Sequence, residues 1–366
     1  MAQLTPSAGS GGAPAQASGG SSGSSAGGTP TGVNTGGTSS EGNNVGGPLD
    51  TAGSAGEPGN AGRGSSSDAG ETPVAAGPCP AGPFADSPLP AGPVPVPQQV
   101  CTGMTFTEGA VWFRERNTLF FSDFQIGNAG SNFTGRILSH TPGGGCEEFI
   151  AGAGTNGLAI APDGNLLSCR HLDRTLTIFD LTTRQPTVFL ADNAGEPFNT
   201  TNDVAIRSDG NLYFTDPDYL AGNRMTDLPV RAYRRDPNGV LSVIDEGGNT
   251  NGITLSPDET RLYLSHLGGG PANILVFDVD AAGAVSNPRP FVSNVGSDGM
   301  AIDCAGNLYI TQNGVRIYDP EGELIGTLAA PGAANVAFGG PDRRTLFITA
   351  TVSLLSVELE IPGLPY

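Results

Sequence analysis

Asn202-Asp203-Val204-Ala205-Ile206, the turn Arg207-Ser208-Asp209-Gly210-Asn211, and then Leu212-Tyr213-Phe214-Thr215-Asp216 form a unit that this chain repeats. Each copy is an apolar stretch, a polar turn and a second apolar stretch. Asn156-Gly157-Leu158-Ala159-Ile160, Asn251-Gly252-Ile253-Thr254-Leu255 and Asp298-Gly299-Met300-Ala301-Ile302 are close copies of its opening. Glu108-Gly109-Ala110-Val111-Trp112 and Asn335-Val336-Ala337-Phe338 are looser ones. The six opening residues are spaced 48, 46, 49, 47 and 37 residues apart. Seven residues after them stand Glu115, Asp163, Asp209, Asp258, Ala305 and Asp342, acidic in all but one unit and set in turn-forming contexts. The second stretch always begins with leucine: Leu119, Leu166, Leu212, Leu262, Leu308 and Leu346.

Short alternating stretches joined by tight turns, with no helical period, indicate an all-β protein. A period in the forties with several strands per unit indicates a β-propeller rather than a sandwich. Six units predict a six-bladed β-propeller. Later strands of the units are visible at Leu176–Asp180, Ile274–Asp278 and Val315–Asp319, and Ser353–Ile361 is expected to help close the ring. Closure removes the exposed edges of an open sheet.

Outside the repeat the composition changes. Residues 1–78 are almost entirely Gly, Ser, Ala, Pro, Thr and Asn, and no aromatic residue precedes Phe84. Such a stretch cannot bury enough apolar surface to offset its conformational entropy, so a disordered linker is expected at 1–78 and the propeller at 79–366. The net charge is −19 and all 17 basic residues are arginine. The absence of lysine excludes Schiff-base catalysis. An acidic chain without a basic run is a poor ligand for nucleic acid. No apolar run is long enough to span a membrane. A tail of this kind ahead of a globular domain fits an exported protein, although no secretory signal is visible. A monomer is expected. Of the five cysteines, Cys79 and Cys101 flank a proline-rich segment that a disulfide between them would pin; no cysteine spacing suggests zinc.

The first strand of each unit lines the channel of a propeller, so the six opening residues converge although they are far apart in sequence. Glu108, Asn156, Asn202, Asn251, Asp298 and Asn335 all carry a side-chain oxygen, and two are formally negative. That donor set suits a hard divalent cation, calcium first, with magnesium, manganese and zinc also able to visit oxygen-rich sites. The competing explanation is that Asn and Asp merely initiate turns, which Glu108 does not fit. The second strands return to the same face and bring Asp123, Arg170, His171, Asp216, His266, Gln312 and Asn313 to its mouth. Two glycine patterns are decoys. Gly19–Gly23 fits G-x-S-x-G but lies in the tail, and Gly152–Gly157 fits G-x-G-x-x-G but leads into a strand rather than a helix.

These residues also carry a family resemblance. Glu108-Gly109-Ala110-Val111-Trp112 resembles the Glu-Gly-Pro-Val-Trp opening of the gluconolactonase/regucalcin family, and Asn199-Thr200-Thr201-Asn202-Asp203 resembles the Asn-Ser-Pro-Asn-Asp motif of its bacterial members. Phe214–Pro217, Asn251–Ile253, Asp298–Met300 and Asn335–Gly340 fit the later units, so the resemblance covers about residues 101–357. It implies a calcium-type ion held by Glu108, Asn251 and Asp298, with Asn202 as ligand or substrate contact and Asp298 as base. It implies hydrolysis of a lactone or related ester. For such a reaction Asn156, Asn202, His171 and His266 are the expected substrate contacts, and His171 and Asp216 are candidates for passing a proton to the leaving oxygen. Ala110 and Thr201 replace prolines, which predicts looser loops, and Arg170 replaces the Glu of a Cys-Glu-His motif. An organophosphate-cleaving phosphotriesterase and a non-catalytic calcium-binding module stay open as alternatives.

Overall fold

A computed structural model describes residues 79–124, 134–218, 228–268 and 270–364. The expected tail at 1–78 lies outside the described residues. The protein is an all-β propeller. Its helical content among the described residues is one short turn, Arg114–Arg116. The first strands of the six repeat units, Gln98–Phe113, Thr155–Ile160, Val204–Ile206, Thr250–Leu255, Met300–Ile302 and Ala333–Gly339, contact one another in order, and the last contacts the first. The six opening residues therefore stand around one axis.

Among the described residues the sheets form five blades rather than the expected six. Four sheets have four antiparallel strands each, built from residues 155–190, 204–246, 250–293 and 300–328, and a fifth has six strands. A two-stranded ribbon joins Asp192–Asn193 to Glu196–Pro197. The six-stranded sheet arises because the first and last repeat units share two long strands. Gln98–Phe113 pairs with Thr118–Asp123 on one side and Thr345–Glu358 on the other, and Thr345–Glu358 pairs in turn with Ala333–Gly339. Pairs such as Gln98↔Ser356 and Thr102↔Ser353 join the N-terminal and C-terminal stretches, so the C-terminal stretch does close the ring. Trp112, the one tryptophan of the chain, stacks on Phe347 at this junction with ring centroids 5.6 Å apart.

The repeated aspartates explain the tight turns. Asp163, Asp209, Asp258 and Asp342 each accept a hydrogen bond from the backbone N–H two residues on, at 3.0 to 3.2 Å. This side-chain mimicry of a turn is the reason aspartate recurs there. In the fifth unit, where Ala305 stands at the repeat position, Asp303 does the work by accepting from Ala305 N and Asn307 N. The core lies between neighbouring sheets, as where Val111, Phe120 and Ile137 of the first unit meet Leu158, Leu166 and Phe179 of the second. Full burial of each such side chain is worth ~1.5–3 kcal/mol.

The disulfides correct the expected Cys79–Cys101 pairing. Cys79 joins Cys304, with Cα atoms 5.5 Å apart, and Cys101 joins Cys146, with Cα atoms 6.0 Å apart. The segment between Cys79 and Cys101 runs along the last units instead of doubling back. Pro88 O accepts from Glu360 N at 2.9 Å, and Phe84 and Cys79 pack with Ile302 and Ile361. The fifth cysteine, Cys169, is buried and free. The denatured, unreduced chain is therefore expected to take up one alkyl group per molecule and the reduced chain five. Intact-mass measurement after thiol alkylation checks this, and three or more alkyl groups without reductant would contradict the pairing.

Candidate active site

Ring packing sets the distance between opening residues. A Cβ on Gly157 or Gly252 would lie 2.6 Å from the carbonyl oxygen of Asn202 or Asp298, the next opening residue. Gly157 N donates to Asn202 O at 2.7 Å. In the four units that have it, glycine after the opening residue thus lets one first strand touch the next, which draws the openers toward the axis.

Glu108 and Asp298 meet there. Their carboxyl groups are close enough for each to act on the other's titration, and Asn251 Nδ2 donates to Asp298 Oδ1 at 2.7 Å. Glu108, Asn156, Asn202 and Asn251 are buried, and Asp298 is half-buried. Burial, then the charges of Asp298 and Asp203, push Glu108 well above the usual carboxylate range. Burial also raises Asp298, to about 6, against the opposing hydrogen bonds from Asn251 and Glu108. Like carboxyls forced together in this way hold protons that a cation would displace.

A third carboxyl, Asp203, was not singled out in the sequence. Its Oδ1 accepts from Val204 N at 2.9 Å and its Oδ2 from Ile253 N at 3.0 Å, which straps one first strand to the next. Burial raises it to about 7, partly offset by those two bonds. The available signal was the break in pattern: Asp203 stands where four of the six units have glycine. Below it an axial cavity of about 290 Å³ runs from Asp203 and Asn335 between Leu158, Ile253 and Met300 to Arg207 and Glu259.

The donor set suits a hard cation. Among the described residues, Asn202 Oδ1 and Asn156 Nδ2 are buried and have no hydrogen-bond partner, which leaves an unspent amide oxygen on an opening residue of the same ring. No group of three or more His, Cys, Asp or Glu among the described residues is placed to hold a metal ion, so a cation here would need the asparagine oxygens as well as the carboxylates. Asn335 is committed elsewhere, because its Oδ1 accepts from Val336 N at 2.7 Å.

Of the residues expected around the mouth, His171 and Asp216 are fully enclosed. His171 sets its ring edge against Phe124, with centroids 5.6 Å apart. Asp216 Oδ2 accepts from Asn199 N at 2.9 Å, and burial raises Asp216 to about 7 against that bond, one from Thr200 and the charge of Arg174. Both Asp203 and Asp216 act on Cys169, whose thiol burial and these charges push well up. His266 is differently employed: its Nε2 lies 2.8 Å from Asp245 Oδ2, on the outermost strand of the neighbouring sheet. A strand-end position fixes a residue's level but not its direction. Asp123 likewise serves the fold, accepting from Thr105 N at 2.8 Å and pairing with Arg136 at 2.9 Å. Arg170 bonds Ala153 O at 2.8 Å and pairs with Asp173. The loop with Thr201 in place of proline is not loose: Thr201 is buried and its hydroxyl donates to Thr175 O at 3.0 Å, while Thr200 donates to Pro217 O at 2.6 Å.

Residues 106–352 match the family described as the SMP-30/Gluconolactonase/LRE-like region. A gluconolactonase of Zymomonas mobilis is 32% identical over 291 residues, covering 72% of this chain and 81% of that protein. A pentonolactonase of Haloferax volcanii is 26% identical over 266 residues, covering 69% and 84%. The solved structure of a Xanthomonas campestris gluconolactonase superposes with a TM-score of 0.64 at 29% identity, covering 77% of this chain and 99% of that one. With the matched region spanning most of the chain and the carboxyl–asparagine ring at its axis, this protein belongs to the SMP-30/gluconolactonase/LRE-like family.

Proposed function

We propose that this protein is a divalent-cation-dependent hydrolase of lactones, with sugar lactones as the substrate class and calcium as the first-choice ion. The observation that carries the reading is the Glu108–Asp298 carboxyl pair with Asn251, together with the unpartnered oxygen of Asn202 on the same ring of opening residues. The gluconolactonase and pentonolactonase relatives support the substrate class.

Glu108, Asn202, Asn251 and Asp298 would hold the ion, Asn251 turning its amide so that oxygen replaces nitrogen. When bound, a divalent cation would polarise the lactone carbonyl as a Lewis acid. Asp298 orients the attacking water and takes its proton. Asn156 and Asn202 engage hydroxyl groups of the sugar ring. Water adds to the carbonyl carbon, the ring C–O bond breaks, and the leaving oxygen takes a proton from Asp216 or His171. A carboxyl raised to about 7 is partly protonated at neutral pH and suits that donor role.

Two structural readings go with this one. The six-stranded sheet is best described as two four-stranded blades, giving a six-bladed propeller. Thr351 at φ 52°, the Leu359 N to Arg344 O bond of 3.0 Å and the Thr345–Glu358 side-chain bond support a fold-back within Thr345–Glu358. Two disulfides support an oxidising, exported location.

Two measurements test the function. Hydrolysis of a panel of aldonolactones is expected to stop with chelator and return with calcium, and Asp298→Ala is expected to lower turnover by about 10²–10⁴-fold, the usual contribution of a positioned base. Full activity in Asp298→Ala, or cleavage of an organophosphate ester in preference to every lactone, discards the scheme. Calcium binding without any turnover points to a binding module instead. The second measurement is stability against pH. Asp203, Asp216 and Asp298 are raised from an ordinary 3.8 to about 7, 7 and 6. A raised carboxyl favours the fold while protonated, so its contribution is complete below its unfolded value and is lost as pH climbs through the folded one. The melting temperature of chelated protein is therefore expected to fall between about pH 4 and about pH 7 and level off above, with calcium restoring it most at the upper end. A flat profile with calcium acting equally throughout would oppose the burial of these groups.

A further inference from the structure

The second strands carry another repeat, deeper than the openers. Three residues after the recurring leucine stand Ser122, Cys169, Thr215, Ser265, Thr311 and Thr349, all buried. Five of the six are hydroxyls, and each of these bonds the backbone of an opening residue or of its immediate neighbour. Ser122 Oγ donates to Asn156 O at 2.6 Å. Thr215 Oγ1 accepts from Asp203 N at 3.1 Å, and Thr349 Oγ1 accepts from Asn335 N at 2.9 Å. The collar is densest around Asp298. Ser265 Oγ accepts from Ser297 N and donates to Ser297 O, both at 2.7 Å. Thr311 Oγ1 accepts from Gly299 N at 3.0 Å and donates to Ala334 O at 2.9 Å.

Asp298 stands just before the regular strand Met300–Ile302. Backbone bonds already reach this segment: Asp298 N donates to Thr311 O at 3.4 Å, Thr311 N to Gly299 O at 3.3 Å and Gly299 N to Ala334 O at 2.7 Å. Two hydroxyls, one from the preceding unit and one from its own, add to these bonds at Ser297 and Gly299. Buried peptide groups without partners are costly, so the segment has few other conformations open to it.

We propose that Ser265 and Thr311 are positioning residues: they clamp the backbone on both sides of Asp298 and so hold its carboxylate in register with Glu108, Asn202 and Asn251 for a divalent cation. This rests on the reading that those four residues bind the ion. Neither hydroxyl touches substrate or ion. Outer contacts of this kind orient the groups that do the binding, and losing one weakens a metal site without removing a ligand.

The test is calorimetric titration of the metal-stripped full chain with calcium chloride, alongside thermal melting and lactone turnover at saturating calcium. Ser265→Ala and Thr311→Val are expected to weaken calcium binding by about tenfold and to lower kcat more than they change KM. Ser265→Thr and Thr311→Ser, which keep the hydroxyl, are expected to restore both. Ser168→Ala is the control, since Ser168 is equally buried and bonds Thr177 O at 2.9 Å but no opening residue. It is expected to lower the melting temperature and leave calcium affinity unchanged. Should Thr311→Val fail to fold by circular dichroism, Ser265→Ala carries the same comparison. Folded variants that bind calcium as the unaltered protein does, or a Ser168→Ala that loses as much affinity as they do, overturn the assignment. An unaltered protein that takes up no calcium removes the reading of the site and this inference with it, whereas normal uptake with unmoved variants removes this inference alone.

Discussion

Two acidic side chains 190 residues apart in sequence, Glu108 and Asp298, are brought together at the centre of this protein, where each acts on the other's titration. Left to themselves, carboxyls so placed repel and seek water. Their proximity is imposed by the ring: glycines bring consecutive first strands into contact, Asp203 straps two of them together, and hydroxyls from the second strands tie the opening residues down. The stability of the fold is what keeps the acidic centre assembled. The centre in turn is where buried carboxyls gather, and their burial works against ionisation.

Much of this was legible because the repeat encodes direction as well as period. Glu108, Asn156, Asn202, Asn251 and Asp298 were readable as neighbours because each begins the same apolar stretch, and equivalent positions in a closed ring must face the same axis. The turn aspartates were readable for a similar reason, and even the exception at Ala305 is resolved locally, by Asp303 two residues earlier. Local chemistry that recurs can be aligned, and what can be aligned can be placed.

The remainder depended on long-range paths that no repeat reports. Cys79 pairs with Cys304 because the intervening chain travels along the last units, and nothing in the spacing of cysteines carries that route. His266 was placed at the right level but turns toward Asp245, a residue on an outer strand with no counterpart in the alignment. The sharing of Gln98–Phe113 and Thr345–Glu358 between the first and last units was hidden because no Gly, Pro or Asn marks a turn within Thr345–Glu358. Thr201 shows the converse. A missing proline reads as lost rigidity, yet a buried hydroxyl bond to Thr175 supplies the restraint from another strand.

The bond between Cys79 and Cys304 has a mechanical consequence. Gln98–Thr102, the stretch that joins the two termini of the propeller, is held to Ser353–Ser356 by backbone pairing that could be peeled open one rung at a time from its end. A pull applied through the preceding 78 residues meets the disulfide first, and the covalent link delivers that load to the turn around Cys304. The seam is thereby shielded from tension, so the chain can be tugged by its leading end without the ring unzipping.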